Sequence, residues 1–368
     1  MMDGRFLRNV LIKGLCLFLI FNLVWAVLPL SPGQASLYNV LWRGRDRFPF
    51  GENPTESYAL SLYDFDAMFA SLKLDAAVKP VNEFRVFVIG DSSTWGTLLK
   101  PEDTLAGQLD ALGLDLCGRT MRVYNLGYPT LSVTKDVMIL QQAMQYQPDL
   151  ILWPVTLESF PRERQLDSPI VANNLNRVRS LVQTSDLNLQ VPADSSTFFS
   201  RTFIGQRRAL ADLLRLQIYG AMWSATGIDQ VYPTDYTPAA HDLEDNVDFL
   251  DWQGQIPVDG LALGVLQAGM QVAGQTPVLL VNEPILVSGG KNSNSRYNFY
   301  YPRWVYDQYR QIMADQAATN HWNYLDLWNQ IPEDQFTNSA IHLSPEGEGM
   351  LAGNVTKAIQ KLKCLANE

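Results

Sequence analysis

The stretch FRVFVIGDSSTWG, residues 84–96, decides the fold of this chain. Residues 85–89 are mostly β-branched or aromatic, which is typical of a buried strand. Gly90 lets the backbone turn sharply out of a sheet, and Asp91 suits the start of the segment that follows. The stretch therefore predicts a first parallel strand with Ser92 just beyond its carboxyl end, where open α/β sheets place their ligands.

The stretch FTNSAIHLSPEG, residues 336–347, carries the second signal. Ser344 followed by Pro345 predicts the start of the last helix, so His342 lies in the loop before it. A serine hydroxyl needs a neighbouring base to take its proton, and histidine titrates near neutral pH. Either residue alone would fit a structural role, as a helix cap or a core histidine. Together, Ser92 and His342 predict nucleophilic chemistry at one edge of the sheet.

Strands and helices alternate between these two signals. Strands are predicted at residues 85–89, 122–125, 149–156, 276–282 and 323–327, with helices at about 102–112, 134–146, 260–273 and 302–319. This alternation predicts an α/β fold, a doubly wound parallel five-stranded sheet flanked by helices in three layers.

A long segment interrupts the alternation at about residues 160–259. It is too long for a loop, and amphipathic stretches near 175–183 and 204–223 predict a mostly helical insertion beside the site. Three aromatic residues there are candidates for a substrate surface or for simple packing: Tyr232, Tyr236 and Trp252.

The basic and then apolar N-terminus predicts a membrane segment. Three basic residues lead into the apolar run of residues 14–30, which is at the short end for a membrane span. We interpret residues 1–36 as an uncleaved signal anchor; the alternative is a cleaved signal peptide, since residues 33–35 are small enough for a cleavage site. We expect a single-pass protein with its catalytic domain outside the cytoplasm, or a secreted one if the segment is cleaved.

Residues 37–80 are expected to join this anchor to a domain that covers residues 81–368. Residues 38–50 combine aromatic side chains with arginines, so they either contact lipid head groups or form a solvated linker. Residues 58–72 have helical periodicity and are predicted to pack on the domain as a helix leading into it.

Composition and residue counts narrow the function classes. The chain has 368 residues, a net charge of -10 and 47% hydrophobic residues, which suits a sizeable core and argues against nucleic-acid binding. Three histidines without ligand spacing and no paired cysteines predict no metal site, and the lack of a phosphate-binding glycine loop predicts no nucleotide cofactor. Outside the cytoplasm, Cys117 and Cys364 are candidates for a disulfide.

The carboxyl ends of the predicted strands supply further candidate site residues. Acyl transfer needs donors aimed at the developing oxyanion, and the amides of Ser92 and Gly127 are candidates, with the side chain of Thr156 or Asn282 as a third. The group that orients His342 is open between Ser339, Asn338, Asp326 and a backbone carbonyl. The other polar residues at this edge are Glu158 and Glu283.

Three blocks of this chain resemble the SGNH (GDSL-type) hydrolase family. Residues 90–93 resemble its first block, residues 125–129 its second and residues 341–347 its last. The resemblance runs from residue 84 to the C-terminus with the insertion, and it implies an SGNH-like, flavodoxin-like domain with Ser92 as nucleophile, His342 as base and the Gly127 amide as oxyanion donor. In the family an aspartate usually stands where this chain has Ser339, and Gly-x-Asn-Asp usually stands where it has residues 153–159.

The resemblance implies a membrane-anchored serine esterase or O-acyltransferase that acts on an acylated small molecule, polysaccharide or cell-envelope substrate. Relatives with a similar anchor often work beside a membrane-bound acyltransferase, which is therefore a candidate partner. The two departures from the family pattern favour an alternative, a catalytically inactive SGNH-fold binding or assembly protein in envelope polysaccharide biogenesis.

Overall fold

A single six-stranded sheet organises the computed structural model, which describes residues 4–28, 44–48, 50, 65–76, 78–185, 187, 189–193, 197–226 and 235–362. The strands are β1 (Glu83–Val88), β2 (Asp115–Leu116), β3 (Arg119–Asn125), β4 (Leu150–Val155), β5 (Val278–Asn282) and β6 (Asn323–Asp326). Their order across the sheet is β2-β3-β1-β4-β5-β6, and every pair is parallel except β2 with β3.

The sheet has six strands rather than the predicted five. The additional strand, β2, has two residues and forms an antiparallel hairpin with the start of β3 at the edge of the sheet. Cys117 and Gly118 make the turn with positive φ angles of 58° and 71°. Two residues are too few to show the alternation by which a strand is recognised in a sequence. Cys117 is disulfide-bonded and Cys16 is free, while Cys364 lies outside the described residues.

Helices cover both faces of the sheet, which confirms the α/β architecture. The described helices are α1 (Gly4–Val27), α2 (Phe65–Ala70), α3 (Ser92–Trp95), α4 (Leu105–Ala111), α5 (Val133–Ala143), α6 (Pro169–Ala172), α7 (Leu175–Ser185), α8 (Phe198–Arg201), α9 (Arg207–Thr226), α10 (Leu263–Ala273), α11 (Arg303–Asn320) and α12 (Pro345–Ile359). Along β4, Ile151 and Trp153 pack against α5, α10 and α11, whereas Leu150 and Leu152 pack against α4 and α12. Because both faces are buried, the strand is a continuous apolar run rather than an alternating one.

The interruption at residues 160–259 contains four helices, α6 to α9, in its described part. Two of them, α7 and α9, correspond to the amphipathic stretches predicted near 175–183 and 204–223. Trp252 is half-buried against Phe249, with ring centroids 5.3 Å apart, so it packs; Tyr236 is exposed. Tyr232 lies outside the described residues.

The N-terminal helix α1 is long and apolar enough to cross a membrane. It has 24 residues and a mean hydropathy of 2.3 over its most apolar window. It begins ten residues before the apolar run that marks it in the sequence, so it includes the basic residues Arg5, Arg8 and Lys13. A signal sequence at an N-terminus has the same length and composition, so this helix by itself is weak support for an anchor.

In the described part of residues 38–50, Arg45, Arg47 and Phe48 are buried in the domain, which fits neither expectation for this segment. We call residues 44–48 and 50 the strap. Arg47 is fully buried and donates hydrogen bonds of 2.8 Å to the carbonyl oxygens of Trp95, Gly96 and Leu99. Its guanidinium lies 3.8 Å from the centroid of the Trp95 ring, and the Trp95 indole donates to the carbonyl of Phe48 at 2.7 Å.

Helix α2 follows the strap along the chain and packs in the same core. Of the helix predicted over residues 58–72, residues 65–70 are helical, and residues 58–64 lie outside the described residues. Arg45 forms a parallel bridge with Leu72, so the strap is also joined to the end of α2. The described residues between α1 and the sheet therefore pack with the core of the domain.

The strap matters because α3 has only four residues. The last carbonyl groups of a helix lack intrahelical partners, and in a helix this short they are most of its carbonyls. Arg47 supplies a cation and two of those partners at the C-terminal end, where positive charge is favoured by the helix dipole.

Replacing Arg47 with methionine should lower the free energy of unfolding by at least about 3 kcal/mol, because three carbonyl groups lose a charged donor, each such bond being worth about 1.5–3 kcal/mol. The full chain in detergent should show this as a lower urea midpoint. The matched control is Arg122→Met, since Arg122 is more than half exposed in an ion pair with Asp110 and should contribute less than about 1 kcal/mol. Equal midpoints for the two variants would contradict the structural role of the strap.

Candidate active site

The turn after β1 fixes the position of Ser92. Asp91 caps α3 by accepting a 2.8 Å hydrogen bond from the amide of Ser93. Gly90 is required because a Cβ there would lie 2.3 Å from the hydroxyl oxygen of Thr94. Ser92 is therefore the first residue of α3, with its side chain half-buried at the carboxyl edge of the sheet.

The structure brings Ser92 and His342 together across 250 residues of sequence. The Ser92 hydroxyl lies 2.8 Å from Nε2 of His342. His342 occupies the loop before α12, and Ser344 caps that helix by accepting from the amide of Gly347, as the sequence predicts. A hydroxyl at this distance from an imidazole nitrogen is in position to give up its proton during attack.

The side chain of Asn338, not that of Ser339, contacts the other nitrogen of His342. Oδ1 of Asn338 lies 2.8 Å from Nδ1, whereas the side chain of Ser339 lies near the hydroxyl of Tyr300. The loop closes on itself, because the amide of Thr337 donates to the carbonyl of His342 at 2.9 Å. That closure places Asn338, four positions before His342, against the imidazole ring, rather than Ser339, which is three positions before it.

Asp326, the other candidate for orienting His342, is engaged elsewhere. Its carboxylate accepts two hydrogen bonds from Arg310, at 2.7 and 3.0 Å, and another from Asn282 at 2.9 Å. Among the candidates with a side chain, Asn338 alone is hydrogen-bonded to His342 in the described part of the chain.

The neutral partner decides the charge and tautomer of His342. A carbonyl oxygen only accepts, so Nδ1 carries the proton and Nε2 is free to accept from Ser92. Burial lowers the pKa of His342 to about 4, and no carboxylate beside the ring offsets that cost. The imidazole is therefore neutral at neutral pH, which is the form that serves as a base.

The amide expected to stabilise an oxyanion, that of Gly127, is already hydrogen-bonded. It donates to Oδ1 of Asn125 at 2.9 Å, and Nδ2 of Asn125 donates to the carbonyl of Thr94 at 2.8 Å. Gly127 is glycine because a Cβ would lie 2.5 Å from the amide nitrogen of Trp95. The structure therefore shows Gly127 packed closely on α3. The amide of Ser92, by contrast, is at the start of that helix, where backbone donors have no intrahelical partner.

The two side chains considered as a third oxyanion donor point into the protein. Thr156 is fully buried with its hydroxyl 3.0 Å from that of Tyr301. Asn282 is fully buried between Asp326 and Tyr306, with its side chain hydrogen-bonded to both. The structure presents neither group to Ser92.

A buried acidic pair lies behind Ser92. The hydroxyl of Ser93 contacts carboxylate oxygens of both Asp91 and Glu283. One hydroxyl proton serves only one acceptor, so one of the carboxyl groups is protonated and donates to Ser93. Burial, followed by the charge of Asp91, raises the pKa of Glu283 well above its usual range, so Glu283 is the protonated member. The sequence marks Glu283 only by its position after a strand.

Buried Lys135 offsets part of the remaining negative charge, since its charge acts against the rise in pKa of both Asp91 and Asp136. Its ammonium lies 2.6 Å from Asp136 and donates to the carbonyl oxygens of Gly90 and Tyr128. These bonds hold the turn before Ser92 from below. A lysine is almost never fully buried unless it is paired. Here the pair of Lys135 and Asp136 supports the turn before Ser92.

A cleft of about 770 Å³ lies beside the histidine loop. Tyr300 lies between the two, since it lines the cleft and its hydroxyl is near Ser339 of the loop. The exposed ring of Phe299 lies next to it, with centroids 4.6 Å apart. Glu158, paired with Arg164 at 2.7 Å, forms part of the wall. Other residues lining the cleft are Asp242, Glu244, Asp248, Phe249 and Arg296.

Comparison with known proteins finds likeness in structure only. No protein-family model matches the sequence, and no curated protein matches it significantly.

Within the described residues, no group of three or more His, Cys, Asp and Glu side chains has the arrangement of a metal site.

Similar solved structures include lipolytic proteins of the G-D-S-L family and other esterases. A member of the lipolytic protein G-D-S-L family from Veillonella parvula is 10% identical over 76% of this chain and 99% of its own, with a TM-score of 0.37. A carbohydrate acetylesterase family member from Sinorhizobium meliloti is 13% identical over 75% and 97%, with a TM-score of 0.34. The M. smegmatis aryl esterase is 14% identical over 76% and 99%, with a TM-score of 0.33. A likeness this distant carries no conclusion about activity.

Replacing Asn338 with aspartate should raise the pKa of His342 by about 1 or more, because a carboxylate beside Nδ1 stabilises the imidazolium. The native pKa is expected near 4, below the ordinary value for histidine. An NMR titration of the ring protons measures it, and only three histidines need to be assigned.

The matched control for this titration is Asn329→Asp, an equal change of charge on an exposed loop. His241 and His321 serve as internal references in every variant. A His342 pKa that is ordinary in the native protein, or unchanged by Asn338→Asp, would contradict the described surroundings of the ring.

Proposed function

We propose that this protein is a serine esterase that cleaves an O-acyl ester through Ser92, with His342 as its base. The hydrogen bond between the Ser92 hydroxyl and Nε2 of His342 carries this proposal. Burial lowers the pKa of His342 and Asn338 accepts from Nδ1, so the imidazole is poised to take a proton.

The geometry performs acyl transfer in two steps. As Ser92 Oγ attacks the acyl carbonyl, Nε2 takes its proton, and the ester oxygen leaves as an alcohol with that proton. Water then repeats the sequence on the acyl-serine and releases the acid and free Ser92. The amide of Ser92 is the oxyanion donor at the helix start, and the Gly127 amide joins it if the Asn125 side chain moves aside.

A neutral orienter makes this a slow catalyst by our account. The imidazolium formed during attack is stabilised less by an amide oxygen than by a carboxylate. Attack by a second alcohol in place of water would make the same site an O-acyltransferase. The proposal includes anchoring in a membrane with the domain outside the cytoplasm, which α1 supports by its length and composition. It also includes a polysaccharide or envelope substrate and a membrane-bound acyltransferase as partner.

The second candidate function is a binding or assembly protein without catalysis. Two observations favour it, the neutral Asn338 against His342 and the occupied amide of Gly127. The esterase proposal is preferred because packing or capping alone gives no reason for a serine hydroxyl to contact a neutral imidazole.

Hydrolysis of p-nitrophenyl acetate by the full chain in detergent tests the esterase. Ser92→Ala and His342→Ala should each lower kcat/KM by about a thousandfold or more, because the two residues act as one unit. The control is Ser180→Ala, which removes an exposed hydroxyl on α7. Equal rates in native protein and Ser92→Ala would overturn the esterase and leave the binding protein.

The cleft supports a proposal for the alcohol portion of the ester. Four carboxylates and two arginines line it, and Arg164 pairs with Glu158 while Arg296 donates to backbone carbonyl groups. The excess of acidic groups disfavours an anionic ligand, while exposed aromatic rings and carboxylate acceptors suit a neutral, hydroxyl-rich one such as an acetylated sugar.

Phe299→Ala should raise KM for an acetylated oligosaccharide about three- to tenfold, as expected for loss of one aromatic contact. The variant should leave hydrolysis of p-nitrophenyl acetate unchanged, since that ester is too small to fill the cleft. Phe199→Ala is the control, an exposed phenylalanine on α8 outside the cleft. An unchanged KM for the oligosaccharide would remove the cleft from the proposal without affecting the esterase.

A further inference from the structure

The C-terminal end of helix α1 contacts the insertion. The Trp25 indole donates to the side chain of Gln206 at 2.9 Å, and the amide of Ile204 donates to Oδ1 of Asn22 at 3.2 Å. The ring of Phe203 lies between Phe21 and Trp25, with centroids 5.3 and 5.2 Å away. Residues 203–206 are thus bound to the last two turns of α1.

This contact sets the depth at which α9 begins. Tryptophan near the end of a membrane span lies at the head-group level. Helix α9 begins at Arg207, directly after the residue that accepts the Trp25 hydrogen bond. If α1 crosses a membrane, α9 therefore starts at the interface rather than deep in lipid or far out in water.

Three apolar side chains along one face of α9 are exposed in the described part of the chain. Leu214, Ile218 and Met222 are 66, 63 and 57% exposed, and their spacing of four residues places them in one stripe. Two further exposed aromatic residues, Phe198 and Phe199, precede them on α8. An apolar surface of this kind is disfavoured in water.

The charge of α9 excludes a second span and fits an anionic surface. The helix carries Arg207, Arg208, Arg215 and one acidic residue, Asp212, and charged residues at this frequency do not cross a bilayer. The excess of positive charge stands out in a chain with a net charge of -10. At 100° per residue the arginines lie on or beside the apolar stripe rather than opposite it, and long arginine side chains next to an apolar face can reach the head groups around an in-plane helix.

We propose that α9 is an in-plane membrane helix whose Leu214–Ile218–Met222 stripe is buried among lipid head groups and upper acyl chains. The inference rests on the proposed anchoring through α1. The domain then has two attachments to the membrane, the span and the in-plane helix. Two attachments restrict its orientation relative to the bilayer, whereas one would leave it free to rotate.

Labelling of single cysteines tests the position of α9. The full chain carries Cys16→Ser to remove the free thiol, and either Ile218→Cys or Ala209→Cys receives an environment-sensitive NBD label. Ala209 is also exposed but lies about 180° around the helix from Ile218, so it is the matched control. The labelled protein is reconstituted in vesicles of phosphatidylcholine and phosphatidylglycerol, with and without doxyl lipid.

The inference predicts blue-shifted emission at position 218 and quenching by doxyl lipid several-fold stronger than at position 209. Vesicle flotation reports the anchor separately. Protein that floats with position 218 unquenched would overturn the in-plane helix alone, and a blue shift without lipid quenching would overturn it in favour of a second copy of the chain. Protein that fails to float would overturn both the anchor and the helix.

Discussion

The four-residue helix α3 is the constraint on which the rest of the site depends. A helix of this length cannot hold its own geometry, because most of its backbone groups have no intrahelical partner. Asp91 holds its start, Arg47 and the Asn125 side chain hold carbonyl groups at its end, and Gly127 lets the neighbouring strand end approach it closely. All of these contacts fix the turn from which Ser92 reaches His342.

Burial determines the charge states of the ionisable groups around the turn before Ser92. Asp91, Glu283, Lys135 and Asp136 are all nearly or fully buried, and the protein keeps them there by pairing the lysine and by protonating Glu283. On the open side, His342 faces an amide instead of a carboxylate, so desolvation alone sets its pKa. The site thus has a base that stays neutral far below neutral pH.

The sequence is sufficient to predict the parts of this site that depend on local chain chemistry. The turn after the first strand and the Ser-Pro start of the last helix predict the edge at which Ser92 and His342 meet, and the structure places them 2.8 Å apart. The alternation of strands and helices predicts the α/β sheet, although the two-residue strand β2 is too short to be recognised.

Features that depend on tertiary contacts are not predictable in this way. Asn338 replaces Ser339 at the imidazole because the loop bends back on itself, which no spacing rule contains. Arg47 follows an apolar run in sequence and suggests a membrane-surface residue, yet it is fully buried because α3 needs its donors. The Gly127 amide is occupied by Asn125 two residues earlier, and only the folded turn shows that pairing.

The central claim is that Ser92 is an activated nucleophile, and covalent labelling tests it most directly. The full chain in detergent would be treated with a fluorophosphonate, which reacts with serines made nucleophilic by a base, and the adduct would be located by peptide mass spectrometry. The account predicts a single adduct on Ser92 that is lost in His342→Ala. A folded protein without an adduct, or with its adduct on another serine, would contradict it.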